Sequence, residues 1–134
     1  MSKTFRQMAG EAMQVVWGIT PEQARARMDA DPNVLLVDVL DLADRKALGQ
    51  PENAVPISVG MLALRADHAV PEHLRDERLQ DRSRPIVTSC GNGPLSAIGA
   101  RTLKEMGFSD VSYVAGGRAA WAQAGFPLVP PGDG

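Results

Sequence analysis

Two kinds of hydrophobic pattern alternate along the chain. Val34-Leu35-Leu36-Val37-Asp38-Val39 is a nearly continuous apolar run, the pattern of a parallel strand covered on both faces; Pro85 to Ser89 is a shorter apolar run, and Val111 to Val114 reads as one more strand. Between them apolar residues recur at helical spacing. In Thr4 to Val16, Phe5, Met8, Ala9, Ala12, Met13 and Val16 fall three and four apart, which predicts an amphipathic helix packed through that stripe, methionines included. Trp17-Gly18-Ile19 reads as a short edge strand. Thr20-Pro21-Glu22-Gln23 carries a capping box with proline at the first helical position, so a helix runs from Pro21 to about Met28.

After the Asp31-Pro32-Asn33 turn and the first long apolar run, Asp41 to Leu48 has helical composition and stops at Gly49. Gln50 to Asn53 reads as a turn, Ala54 to Ile57 as a short strand whose pairing Pro56 limits, and Gly60 to Leu64 as a brief helix. Arg65 to Arg84 is a charged surface excursion holding Pro71 and the two imidazoles, His68 and His73; solvent-facing surface is the reading for both, with a lid over Cys90 as the alternative. The helix after Pro94 places Leu95, Ile98, Gly99, Leu103 and Met106 on one face and ends at Gly107. Gly116-Gly117 is a turn, Arg118 to Ala124 a last helix with Trp121 inward, and Pro127 to Gly134 a fraying tail.

Strands alternating with helices over the whole length predict an α/β fold: a mostly parallel central sheet of about five strands, helices on both faces and an extra N-terminal helix. The domain reading is a helical extension over 1–17, one α/β domain over 18–128 and a flexible tail over 129–134. In such sheets ligands sit outside the carboxyl ends of the strands, where this pattern puts Cys90, Asp38 and Val39.

Composition narrows the function. A chain of 134 residues with net charge -2 has no basic field for nucleic acid and no apolar run of membrane-spanning length. The single cysteine forms no internal disulfide, and Met1 to Gly10 lacks the apolar core of a signal peptide, which points to a bacterial-type cytoplasm. With one Cys and two His no metal site is expected, and no cofactor.

The candidate chemistry gathers at Cys90. A strand ends at the thiol, Gly91-Asn92-Gly93-Pro94 cannot extend it, and a helix begins. A helix N-terminus offers unpaired N–H groups and a partial positive charge, a setting for a nucleophile.

Around this centre the chain resembles the single-domain rhodaneses, sulfurtransferases with a three-layer α/β/α rhodanese-like fold, from about Thr20 to Pro127. The resemblance rests on L-V-D-V at Leu36 to Val39, the loop opened by Cys90 and closed by the hydroxyl of Ser96, L-K-E-M-G-F at Leu103 to Phe108, V-x-x-V-x-G-G-x-x-A-W at Val111 to Trp121, and A-G-x-P at Ala124 to Pro127. It implies that Cys90 accepts sulfur from thiosulfate or a persulfide and passes it to cyanide or a thiol. It also implies that Gly91, Asn92, Gly93, Pro94, Leu95 and Ser96 form the anion-binding loop, and that Asp38 is a structural acid beneath it. The protein would act as a monomer or weak homodimer.

The departures bear on substrate. The family commonly has arginine where Leu95 stands, often another where Gly91 stands, and often one at Leu40; its G-H-I-P-G-A element is here Gly49 to Ala54, G-Q-P-E-N-A. Losing a charge-assisted anion contact removes about 1.5 to 3 kcal/mol, and Pro94 deletes an amide donor, so weak use of thiosulfate is expected. Related phosphatases and arsenate reductases need an arginine six residues after the cysteine, where this chain has Ser96; that chemistry is disfavoured. The competing reading is a catalytically weak sulfur-carrier or protein-binding module.

Overall fold

A computed structural model describes residues 2–132; Met1 of the expected N-terminal extension and Asp133 and Gly134 of the expected tail lie outside them. The elements are α1 (Phe5–Val15), β1 (Trp17–Ile19), α2 (Pro21–Ala30), β2 (Leu35–Asp38), α3 (Leu42–Leu48), β3 (Gln50–Pro51), β4 (Val55–Pro56), α4 (Leu62–Ala66), β5 (Ile86–Ser89), α5 (Pro94–Glu105), β6 (Val111–Val114), α6 (Gly117–Gln123) and β7 (Leu128–Val129). Three short 3-10 turns, at Val59–Met61, Glu72–Leu74 and Glu77–Leu79, complete them.

β1, β6, β5, β2 and β4 make a parallel sheet in that order, the α/β arrangement that the alternating pattern predicts. β2 and β5 are buried at every residue, which is why Leu35-Leu36-Val37 and Ile86-Val87 are apolar without alternation, the polar Asp38, Thr88 and Ser89 falling toward the carboxyl ends. Pro56 sits on edge strand β4, where a missing N–H costs no ladder bond. One core lies between the sheet and the side of α1, α4 and α5, containing Leu35, Val37, Ile86 and Leu103; a second, with Leu36, Val87, Val114 and Trp121, lies on the other face.

Both helix starts with threonine are closed reciprocally: Thr4 with Gln7, and Thr20 with Gln23, each capping box contributing about 1 kcal/mol. α1 packs on α5, yet it buries only Ala9, Ala12 and Val16, while Phe5, Met8 and Met13 stay exposed. The expected burial of that whole stripe is therefore corrected: the small residues Ala97 and Ala100 of α5 share the core with Ala12 and Val16, and the longer side chains overhang. α5 likewise buries its small face, Ser96, Ala97, Gly99 and Ala100 with Leu103, and leaves Leu95, Ile98 and Met106 at the margin.

Two further expectations change. Gln50-Pro51 is not only a turn: it pairs antiparallel with Leu128-Val129, so the start of the expected fraying tail is tied down. The excursion at 65–84 is anchored rather than merely superficial. Leu79 is fully buried, and Arg82 donates to the carbonyls of Met106 at 2.9 Å, Leu79 at 2.8 Å and Ala66 at 2.7 Å while stacking over Phe108. His68 bonds Gln80 at 2.8 Å and His73 is exposed.

Candidate functional site

β5 delivers Cys90 to the carboxyl edge of the sheet, and four residues later, at Pro94, α5 begins. Gly93 makes the reversal at φ 117° and serves as the N-cap, with Pro94 at the first helical position. Only glycine adopts that φ without strain. The turn folds the loop back on the thiol, and the N–H groups of Gly93 and Ser96 donate to Cys90 Sγ at 3.1 and 3.2 Å. Two donors aimed at one sulfur, at the head of a 12-residue helix, favour negative charge there. Pro94, between them, has no N–H to add.

The other residues predicted for the loop divide by role. Ser96 is fully buried, and its hydroxyl donates to Gly93 O at 2.7 Å; it braces the loop from within. Asn92 is exposed, Gly91 is half-buried, and Leu95 packs against the main core. Cys90 is 1% exposed, so its sulfur lies buried beneath the loop.

A second element, which sequence reasoning missed, grips the loop from the other side. The N–H of Arg118, in the first turn of α6, donates to both Cys90 O at 3.1 Å and Gly91 O at 2.8 Å. Its guanidinium runs beneath the loop, donating to Gly49 O at 2.6 Å and forming an ion pair with Asp38. Asp38 lies at the end of β2 in register with Ser89 at the end of β5. One residue thus ties together the ends of β2, β5, α3 and α6. The only hint in the sequence is a cation directly after Gly116-Gly117 in an otherwise apolar helix start.

Asp38 and Arg118 are both almost fully buried. Burial pushes the Asp38 carboxyl above its ordinary value, against the opposing pull of Arg118 and of the Leu40 N–H. Such a pair contributes little net stability, but breaking it leaves an unpaired buried charge. Arg118→Met is therefore expected to destabilise the fold by about 3 to 5 kcal/mol. The double variant Asp38→Asn/Arg118→Met is expected to recover most of that loss. Urea denaturation of both variants and the wild type checks the pattern; additive losses would refute it.

Among the described residues no group of three or more His, Cys, Asp or Glu is placed to hold a metal ion, and no helix is long and apolar enough to cross a membrane. The site's own equipment is one thiol, two converging amides and a buried ion pair below. That equipment suits nucleophilic attack by sulfur and the holding of a small anionic sulfur product.

Comparison with known proteins gives this arrangement relatives. The rhodanese-like domain family matches residues 20–124. The thiosulfate sulfurtransferase GlpE of Pseudomonas syringae is 33% identical over 103 residues, 77% of this chain and 84% of that protein. The polysulfide-sulfur transferase homodimer of Wolinella succinogenes superposes with a TM-score of 0.73 at 27% identity, over 93% of this chain and 86% of that one. A Rhodopseudomonas palustris protein of unknown function, described as a possible tyrosine phosphatase, superposes with a TM-score of 0.85 at 25% identity, over 96% of both chains.

Proposed function

We propose that this chain, which belongs to the rhodanese-like sulfurtransferase family, moves a sulfane sulfur through a persulfide on Cys90. The Cys90 thiolate attacks the outer sulfur of the donor, the donor's S–S bond breaks, and the leaving group departs with the electron pair. The Cys90 persulfide then gives its outer sulfur to cyanide or to a thiolate and returns to the starting thiolate, a ping-pong cycle. The observation that carries this reading is the convergence of the Gly93 and Ser96 amides on the sulfur of the one cysteine in the chain. Backbone donors of this kind stabilise developing negative charge by about 3 kcal/mol each.

The donor is the open variable. No cation stands at Gly91 or Leu95, and Arg118 is committed to Asp38 and Gly49. Thiosulfate, a compact dianion, is accordingly a weak donor, and persulfides or less highly charged sulfur compounds serve at least as well. A phosphatase reading lacks support, because the position six residues after Cys90 is occupied by Ser96, whose hydroxyl is turned inward to Gly93 O; nothing there clamps a phosphate bidentately.

The test is intact mass after incubation with thiosulfate and, separately, with a small-thiol persulfide, each with and without cyanide. A gain of one sulfur atom that cyanide removes as thiocyanate is the expected result. No adduct from any donor would overturn the proposal. The missing arginines further predict a Michaelis constant for thiosulfate well above the low micromolar range; steady-state thiocyanate formation measures it.

A further inference from the structure

Three charged side chains are buried among the described residues: Asp38, Arg118 and Arg45, one carboxylate against two guanidiniums. Arg118 pairs with Asp38 and grips Gly49 O. Arg45, in α3, is 7% exposed, yet its hydrogen bonds go to neutral groups: Nε donates to Leu40 O at 3.2 Å and Nη1 to Gln50 Oε1 at 3.3 Å, while Gln50 Nε2 donates to Ala54 O at 3.3 Å. Taking a guanidinium out of water without a carboxylate of its own is costly. An apolar side chain of similar volume serves stability as well or better at many such sites.

What Arg45 has is a place beside Asp38. The Leu40 carbonyl that it holds belongs to the residue whose N–H donates to Asp38 Oδ1 at 3.3 Å. Its positive charge pulls the Asp38 carboxyl down, in the same sense as Arg118 and against the larger effect of burial. The neighbouring strands bring Asp38 no further charge: β4 sets Pro56 beside it and β5 sets Ser89, whose hydroxyl is buried without a partner among the described residues. Two cations thus oppose the burial of one carboxylate. One of them carries the loop, because the Arg118 N–H donates to Cys90 O and Gly91 O.

Resting on the sulfur-transfer reading above, we infer that Arg45 is a positioning residue for the Cys90 loop: as the second cation at Asp38, it keeps the Asp38–Arg118 pair closed, and the closed pair holds the first turn of α6 against the loop. The contacts run without a break. Arg45 and Gln50 fix the segment from Gly49 to Ala54 from within, Gly49 O and Asp38 seat the Arg118 side chain, and the Arg118 backbone seats the loop that aims the Gly93 and Ser96 amides at Sγ. Arg45 itself touches neither donor nor acceptor. The sign of the pH dependence follows from the carboxyl. Burial raises Asp38 above its ordinary value, so folding favours the protonated form, and that contribution to stability is lost as pH rises through the raised value. Without the Arg45 charge the value rises further and the loss is larger. The loop responds in the opposite direction: Asp38 and Arg118 are an ion pair only above the raised value, so losing Arg45 opens the pair over a wider acid range.

The test follows kcat/KM for thiocyanate formation, and Tm, across the pH range in which the protein stays folded. Arg45→Gln removes the charge and keeps an amide donor; Arg45→Lys keeps the charge. Read as a ratio to wild type, which cancels the ionisation of the thiol that both share, kcat/KM of Arg45→Gln is expected to fall severalfold toward acid pH and to return to near unity at alkaline pH. Arg45→Lys is expected to stay near unity throughout. The Tm deficit of Arg45→Gln is expected to run the other way and grow with rising pH, because the attraction it loses exists only while Asp38 is charged. A ratio that is flat with pH, or the same loss in Arg45→Lys as in Arg45→Gln, would overturn the inference and leave Arg45 a packing residue. So would a pH-dependent effect of Arg45→Gln that persists in the Asp38→Asn/Arg118→Met background, where no pair remains for it to act through. Hydrogen exchange at the Gly93 and Ser96 amides needs no sulfur donor and separates this inference from failure of the sulfur-transfer reading. Severalfold lower protection in Arg45→Gln at acid pH, restored in Arg45→Lys, supports the positioning role even if no donor loads Cys90; equal protection in all three proteins removes it.

Discussion

Cys90→Ser is expected to take up no sulfur from any donor and to lose thiocyanate formation by on the order of 10^4-fold or more, the scale of loss when the nucleophile of a covalent cycle is removed. The chain has no other thiol to substitute, so residual transfer cannot pass to a neighbour. The fold should survive. A serine oxygen can accept the same two amides from Gly93 and Ser96, and the loop is held independently through its carbonyls by the Arg118 N–H. The cost is the exchange of a small buried hydrophobe for a hydroxyl, about 1 to 3 kcal/mol. Intact mass, thiocyanate release and thermal denaturation read the three parts separately. A folded Cys90→Ser protein that still gains a cyanide-labile sulfur would remove the thiol from the mechanism.

The strand-loop-helix setting of Cys90 was legible because each signal is local. An apolar run, a Gly-Asn-Gly-Pro break and a following helical period occupy consecutive residues, and Gly93 and Pro94 then take the cap and first helical positions that their chemistry suits. The parallel sheet was legible for the same reason, since the apolar run Leu35-Leu36-Val37 in β2 and the short β-prone segments of β5 and β6 alternate locally with helical periods. What escaped depends on residues far apart. Arg118 meets Asp38 across 80 positions, and an isolated arginine after two glycines carries no periodicity to betray the contact. The pairing of Gln50-Pro51 with Leu128-Val129 involves strands too short to register as strands. Helical spacing in α1 named the right stripe but not its width: the alanines of α5 set how closely α1 approaches, and that distance decides that Ala9 and Ala12 go under while Phe5 and Met13 remain outside.

The contact between α6 and the loop makes Gly117 the most sensitive position outside the loop itself. Gly117 has φ 55°, and a Cβ added there would lie 2.5 Å from Gly91 C and O and 2.6 Å from Asn92 N. All three are backbone atoms, so no side-chain tip can swing away. Two costs add in Gly117→Ala: about 1 to 2 kcal/mol for the left-handed backbone and about 1 to 3 kcal/mol for forcing apart packed segments. Ordinary contact begins at 3.4 Å, so the loop and α6 must separate by roughly 1 Å. α6 cannot yield freely, because Arg118 ties it to Asp38 and Gly49; the loop, four residues between strand and helix, takes the displacement. A shift of that size at a reacting centre lowers rates about 10^2-fold. Gly117→Ala is thus expected to lose about 2 to 5 kcal/mol in urea denaturation and about two orders of magnitude in kcat/KM for sulfur transfer. Gly60→Ala, where a Cβ meets nothing within 4 Å, serves as the control and should change neither. A stable Gly117→Ala protein with wild-type turnover would mean that α6 does not hold the Cys90 loop in its working position, and that the two amides find the sulfur without it.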